Sequence, residues 1–345
     1  MRRRVGAHLR ATGRPERGGI GMYAKTAVIL AAFASVYVLL VFVATEWWHA
    51  LPLAAALGLT IVAIGFNIMH DANHEAYSER QWINRAMSMT LDVVGGSSHF
   101  WKWKHNVFHH TFVNVVGYDT DIDLVGLGRL TPHHRHAWFH RWQHLYVWLL
   151  YGVFVLKWQL YDDFRLLFTG RMARHSVPRP RGSQWLVFFG GKLVFLSLAF
   201  AIPLALHPIW AVAAFYVVTA VVLGVVLAVV FQLAHCVEQA SFPIEVEPGR
   251  MDAAWAIHQV ETSVDFAREN RAASWLLGGL NFQIEHHLFS RICHVNYPAI
   301  APVVERTCRE YGIVYKHNAT FLGAVRSHYN WLREMGREPI LAARS

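Results

Sequence analysis

Residues 26–45 and 50–69 each run for 20 positions without an Asp, Glu, Lys or Arg. A helix of about that length crosses the hydrocarbon core of a bilayer, and a helix satisfies its own backbone polar groups there. Residues 186–206 and 209–234 repeat the pattern, interrupted by Lys192, which is expected to snorkel or sit near the interface. Residues 144–156, 272–284 and 292–304 are uncharged but too short to cross, so they read as interfacial or core helices. Hydrophobic residues make up 54% of the chain, which fits a membrane protein better than a soluble domain.

The fold expected is all-α and integral to the membrane: four transmembrane helices in two hairpins, with a helical cap on one side. The turns at 46–49 and 207–208 contain no Lys or Arg, whereas the start of the chain and the segment 75–183 contain many. The positive-inside rule then places both termini and that segment in the cytoplasm, at a bacterial inner membrane. The division expected is a basic, disordered cytoplasmic tail at 1–22 and a single membrane domain at 23–330. That domain joins the four spans to a cytoplasmic cap formed by 70–183 and 235–330. A C-terminal tail follows at 331–345. The first 17 residues carry six arginines and no apolar run of the kind a secretory signal needs. The net charge of +9 is met by cytoplasmic loops and anionic lipid headgroups, so no nucleic-acid partner is expected. Three widely spaced cysteines form neither a disulfide framework nor a zinc ribbon.

Histidine is concentrated where the spans end. The second span runs into His70-Asp71-Ala72-Asn73-His74, and the fourth delivers His235. Residues 102–114, KWKHNVFHHTFVN, carry His105, His109 and His110, and QIEHH carries His286 and His287. On an α-helix His105 and His109 share one face, with His110 at its edge. Neutral imidazole is a ligand for iron, zinc and copper. Eight imidazoles exceed the ~4–6 ligands of one metal and suit two metals with open positions. Asp71, Asn73, Asn106, Asn114 and Glu285 lie close enough in sequence to orient the rings' N–H groups. A second group, His136, His140 and His144, recurs every four residues and reads as an amphipathic interfacial helix beside Trp138 and Trp142.

HDANH, HNVFHH and QIEHH resemble the three histidine boxes of the integral-membrane fatty acid desaturases. The resemblance covers about residues 25–315. GGLNFQIEHHLF (278–289) and ICHVNYPAI (292–300) resemble the acyl-CoA/acyl-lipid branch that includes the front-end enzymes. The resemblance implies a centre of two iron ions, O2 as co-substrate, and a fatty acyl-CoA or acyl-lipid substrate drawn from the membrane. It makes His235 the additional ligand after the fourth span. Gln283 stands where many relatives have His, so it either binds metal or supports a water. Front-end relatives often carry a fused haem domain marked by HPGG. That tetrapeptide does not occur here, so no bound haem is expected and electrons would come from a separate ferredoxin- or cytochrome-type carrier with its reductase.

Oxidation of an unactivated methylene needs a dry tunnel beside the metals. Phe100, Trp101, Trp103 and Phe108 either line it or sit at the membrane interface. Within the family, a hydroxylase, acetylenase or epoxidase would use the same metals. From another class, a His-rich membrane metal-binding or transport protein would place ionisable groups at mid-membrane, where the sequence offers only Lys192.

Overall fold

The computed structural model describes residues 1–337, and these are mostly helical. Four helices are long and apolar enough to cross a membrane: Ile20–Val43, Trp47–Asn73, Gln184–Leu204 and Ile209–His235. They are called the first to fourth spans below. The second span packs on the first and on the fourth. Small residues set the crossing with the fourth. A Cβ added at Gly58 would lie 2.7 Å from the Thr219 carbonyl, and the Thr219 hydroxyl donates to the Ala54 carbonyl at 3.0 Å. In lipid, close backbone approach of this kind replaces the hydrophobic drive that water would supply. Gly224 meets the backbone of Tyr151 and Gly152 in the same way. The helix Gln143–Lys157 is thereby seated on the fourth span, with Val147, Tyr151 and Val155 buried and Leu145, Leu149 and Val153 exposed.

Lys192 does not snorkel. It is buried, and its ammonium donates to Asp163 at 2.7 Å and to the carbonyls of Gly95 and Gln159. A buried ammonium needs a carboxylate and further acceptors, and the segment between the second and third spans supplies both.

The start of the chain is not a disordered tail. Arg2–Ala11 is a helix that buries Val5 and Leu9 against Tyr297–Glu310. Val5 and Leu9 are four residues apart, which makes one apolar stripe among the arginines. Arg4 pairs with Glu310, and the backbone of Pro15 and Glu16 binds Asn296 and Cys293. At the other end Phe321–Met335 continues past residue 330 and buries Trp331, Leu332 and Met335. Residues 338–345 of the expected C-terminal tail lie outside the described residues. Ahead of the third span the chain makes a two-stranded turn, Arg171–Met172 against His175–Ser176. Asp265–Phe266 pairs in parallel with His317–Asn318 and ties the segment after the fourth span to the one that leads into Phe321–Met335.

Candidate metal centre

Two departures from α-helical winding build the site. The second span widens to a five-residue hydrogen-bond step over Gly65–Met69, just before His70. Lys102–His109 is wound the same way throughout, and the His110 amide continues it by donating to the His105 carbonyl at 3.1 Å. Such wide turns are uncommon and favour functional sites. Here the consequence is geometric. The wide winding keeps His105 and His109 on the shared face expected for them, with their rings stacked at 5.3 Å between centroids, and it also brings His110 round beside His105. The Nε2 atoms of His105 and His110 lie 3.3 Å apart.

His105 joins His70, His74 and His286, whose ligand atoms all lie within 4.8 Å of one another. His109 joins His235 and His287 under the same limit. His110, with His286 and His287, forms a third such group that links the two. All eight imidazoles are buried. Gln283 enters the second cluster: its amide lies 2.9 Å from His235 Nε2 and 3.3 Å from His287 Nε2.

The outer ring nitrogens are held by other residues than expected. His109 Nδ1 donates to Asp119 at 3.0 Å, His235 Nδ1 to the Thr262 carbonyl at 3.1 Å and His287 Nδ1 to Gln259 Oε1 at 2.9 Å. His286 Nδ1 is 3.2 Å from the Tyr297 hydroxyl. Asp119, Gln259 and Tyr297 were not among the candidates. Asp119 had a legible signal in the acidic run GYDTDID; Gln259 and Tyr297 had none, because they come from distant chain segments.

The residues expected to orient the rings brace the backbone instead. Asn106 donates to the Asn73 carbonyl at 2.8 Å, and Asn114 donates to the carbonyls of His235 and Ser241 at 2.9 and 3.1 Å. The Asn73 side chain bonds back to Met69, and Glu285 accepts from Tyr315 at 2.9 Å. Asp71 approaches His70 Nδ1 only to 4.0 Å and spends its carboxylate on His294, 2.9 Å away. The reason is local: a side chain one to three residues from a helical histidine points off along the helix or back to its own turn.

Burial pushes the pKa values of His74, His105, His110, His286 and His287 down, and the neighbouring rings add to the effect. Burial also opposes charge on His109, but Asp119 outweighs it and raises the ring above its ordinary value. Burial pushes Asp119 up, yet His109 more than reverses this and holds the carboxyl down to about 2. Where Nδ1 is the donor, the Nε2 lone pair points inward. His70 Nε2 lies 3.2 Å from His105 Nε2, and His110 Nε2 lies 3.0 Å from His286 Nε2. His74 Nε2 and His109 Nε2 are buried without a hydrogen-bond partner. Converging, dry ring nitrogens, most of them held neutral by burial, are what a cation binds, so the residues fit metal ions.

The aromatic candidates separate. Trp101 stacks on His105 at 4.3 Å between ring centroids and lies 5.7 Å from His70. Phe100, Trp103 and Phe108 pack away from the histidines, with Leu166, Met172 and Phe188. A small apolar cavity of about 130 Å³ lies elsewhere, among all four spans, with Phe33, Ile61, Val94, Phe195 and Leu223 in its walls. His136 and His140 bind the carbonyls of Gly336 and Gly126 and form no metal-sized group with His144. Cys236 is buried outside both histidine clusters.

The sequence model described as fatty acid desaturase matches residues 46–319. The sn-1 linoleoyl-lipid 6-desaturase of Arthrospira platensis is 39% identical over 98% of this chain and 92% of that protein. The protein of the same description from a Synechocystis strain is 37% identical, over 98% of this chain and 94% of its own. The acyl-lipid (8-3)-desaturase of Physcomitrium patens is 36% identical over 91% of this chain and 66% of that protein.

Proposed function

The chain belongs to the fatty acid desaturase family, and we propose that it places a double bond toward the carboxyl end of a lipid-linked linoleoyl chain, using two irons and O2. It is an oxidoreductase of the membrane, and its acyl-lipid desaturase relatives align over nearly its full length. The observation that carries the reading is the pair of buried imidazole clusters, joined through His110, His286 and His287.

In this reading His70, His74, His105 and His286 hold one iron, while His109, His235 and His287 hold the other, with His110 between them and Gln283 beside the second. Iron with O2 would supply the oxidant that no side chain can provide for an unactivated methylene. The protein's part is to orient and to exclude water. Asp119, Thr262 and Gln259 fix the proton of their histidines on Nδ1 and so leave Nε2 for metal. Trp101 closes the outer side of the first cluster with an apolar ring. Electrons reach the site from a separate ferredoxin- or cytochrome-type carrier and its reductase. In the same reading the chain is a single membrane domain of two hairpins, and the basic segments at 1–22 and 75–183 support a cytoplasmic placement of cap and termini at a bacterial inner membrane. The transporter reading lacks support: Lys192 is neutralised by Asp163, and the two histidine clusters gather at the C-terminal ends of the second and fourth spans.

Expression in a host with a compatible reductase, followed by mass spectrometry of the fatty acids, tests the proposal. The expected product of linoleate is a triene whose new double bond lies between the carboxyl group and the existing ones. A hydroxylated or epoxidised main product would replace the desaturase reading with a sister activity. Purified protein is expected to hold about two irons per chain.

A further inference from the structure

A second cavity, of about 780 Å³ and with both charged and apolar walls, opens beside the start of the first span, well within the size that accommodates a small-molecule group. Arg14, Lys25, Arg268 and Arg271 line it, against two carboxylates, Glu269 and Glu305. Arg268 is neutralised by Glu305 at 3.1 Å. The guanidiniums of Arg14 and Arg271 have no carboxylate within 4.0 Å among the described residues. Lys25 is buried, with 7% of its surface exposed, and its ammonium is fixed by the Trp275 carbonyl at 2.6 Å and lies over the Trp275 ring. A buried ammonium and two unpaired guanidiniums facing one space form an anion site. Lys25 stands near the start of the first span, at the level where lipid headgroups lie.

The cavity lies two side chains, His294 and Asp71, from His70 of the metal centre. His294 is part of its wall, 3.2 Å from the Lys25 ammonium, and its other ring nitrogen binds Asp71, the neighbour of His70. Resting on the desaturase reading above, we infer that this cavity holds the phosphate-bearing headgroup of the substrate glycerolipid, with Arg14, Arg271 and Lys25 as its cationic contacts.

The test is equilibrium binding to the purified full-length protein by native mass spectrometry. The probes are dilinoleoyl phosphatidylglycerol, the uncharged dilinoleoyl monogalactosylglycerol, linoleoyl-CoA and inorganic phosphate. The wild type is expected to prefer phosphatidylglycerol to the galactolipid by roughly tenfold or more. Arg14→Gln with Arg271→Gln should abolish that preference, and Arg14→Lys with Arg271→Lys should keep at least part of it. Competition by inorganic phosphate supports phosphate as the recognised group. Arginine-dependent binding of linoleoyl-CoA in place of the lipid keeps the phosphate site and refutes the glycerolipid as its source. Equal binding of the two lipids by the wild type overturns the proposal, as does a full preference in the Gln variant. Fatty acid profiles of cells expressing the wild type are read separately. An absent triene with an intact lipid preference sinks the desaturase reading alone, and a triene with equal lipid binding sinks the headgroup site alone.

Discussion

Replacing Asp119 by Asn changes one atom opposite His109 Nδ1 and leaves the volume almost unchanged. One carboxylate oxygen accepts from that ring at 3.0 Å and from the Asn114 amide at 3.0 Å, while the other accepts from the Asp121 amide at 3.0 Å. In Asp119→Asn the new amide nitrogen can only donate. If it faces His109, the ring must accept at Nδ1 and carry its proton on Nε2, the atom required for metal in the cluster with His235 and His287. Loss of such a partner weakens metal binding by about 10–100-fold, or ~1.4–2.7 kcal/mol. The assay is chelator competition on iron-loaded protein, reading the metal retained per chain. Half of the iron is expected to leave at a lower chelator concentration, while the His70 cluster keeps its own. Asp121→Asn is the matched control, because Asp121 lies 3.9 Å from His109 and pairs with Lys104. Equal iron retention by Asp119→Asn and wild type, with the new amide nitrogen facing His109 and the Asp121 amide still capped, would refute the assignment of Asp119 as the residue that sets the proton on His109.

Three further outcomes are expected. Changing His105, His109 or His110 singly to Ala should abolish turnover in fatty acid profiles while the protein still fractionates with membranes; near-normal turnover would remove that residue from the ligand set. Metal-free protein should lose stability as pH falls below about 6.5, where the unfolded chain gains protons that His74, His105, His110, His286 and His287 refuse in the fold. A thermal midpoint that rises on acidification from pH 7.5 to 5.5 would contradict this sign. Gly58→Leu should destabilise the spans by about 1–3 kcal/mol, since its Cβ meets the Thr219 carbonyl at 2.7 Å, and unchanged thermal aggregation in detergent would disprove that contact.

The spans were legible because 20 uncharged residues in a row admit few other fates, and the eight histidines because each lies at a span end or within a dense box. The division of those histidines was not legible. His105 and His109 share a helix face and stack at 5.3 Å, and which cluster each enters is decided by partners from distant segments, His70, His74 and His286 for one and His235 and His287 for the other. The ring-orienting residues were missed for a related reason. Nearness in sequence favours contacts within one helix, whereas Gln259 reaches His287 across 28 positions and Tyr297 reaches His286 from a different helix. The N-terminal helix was hidden by charge, since Val5 and Leu9 among four arginines read as solvated chain until Tyr297–Glu310 is packed beside them.

The clusters also impose an order on biosynthesis. The first draws on residues 70, 74 and 105 but closes only with His286, and the second draws on 109 and 235 but closes only with His287. A ribosome has therefore inserted all four spans before either cluster can be completed. A metal ion captured earlier would meet at most three of the four imidazoles of the first cluster and two of the three of the second. A metal held by the finished clusters would fasten the segment that carries His286 and His287 to segments made much earlier, at the ends of the second and fourth spans.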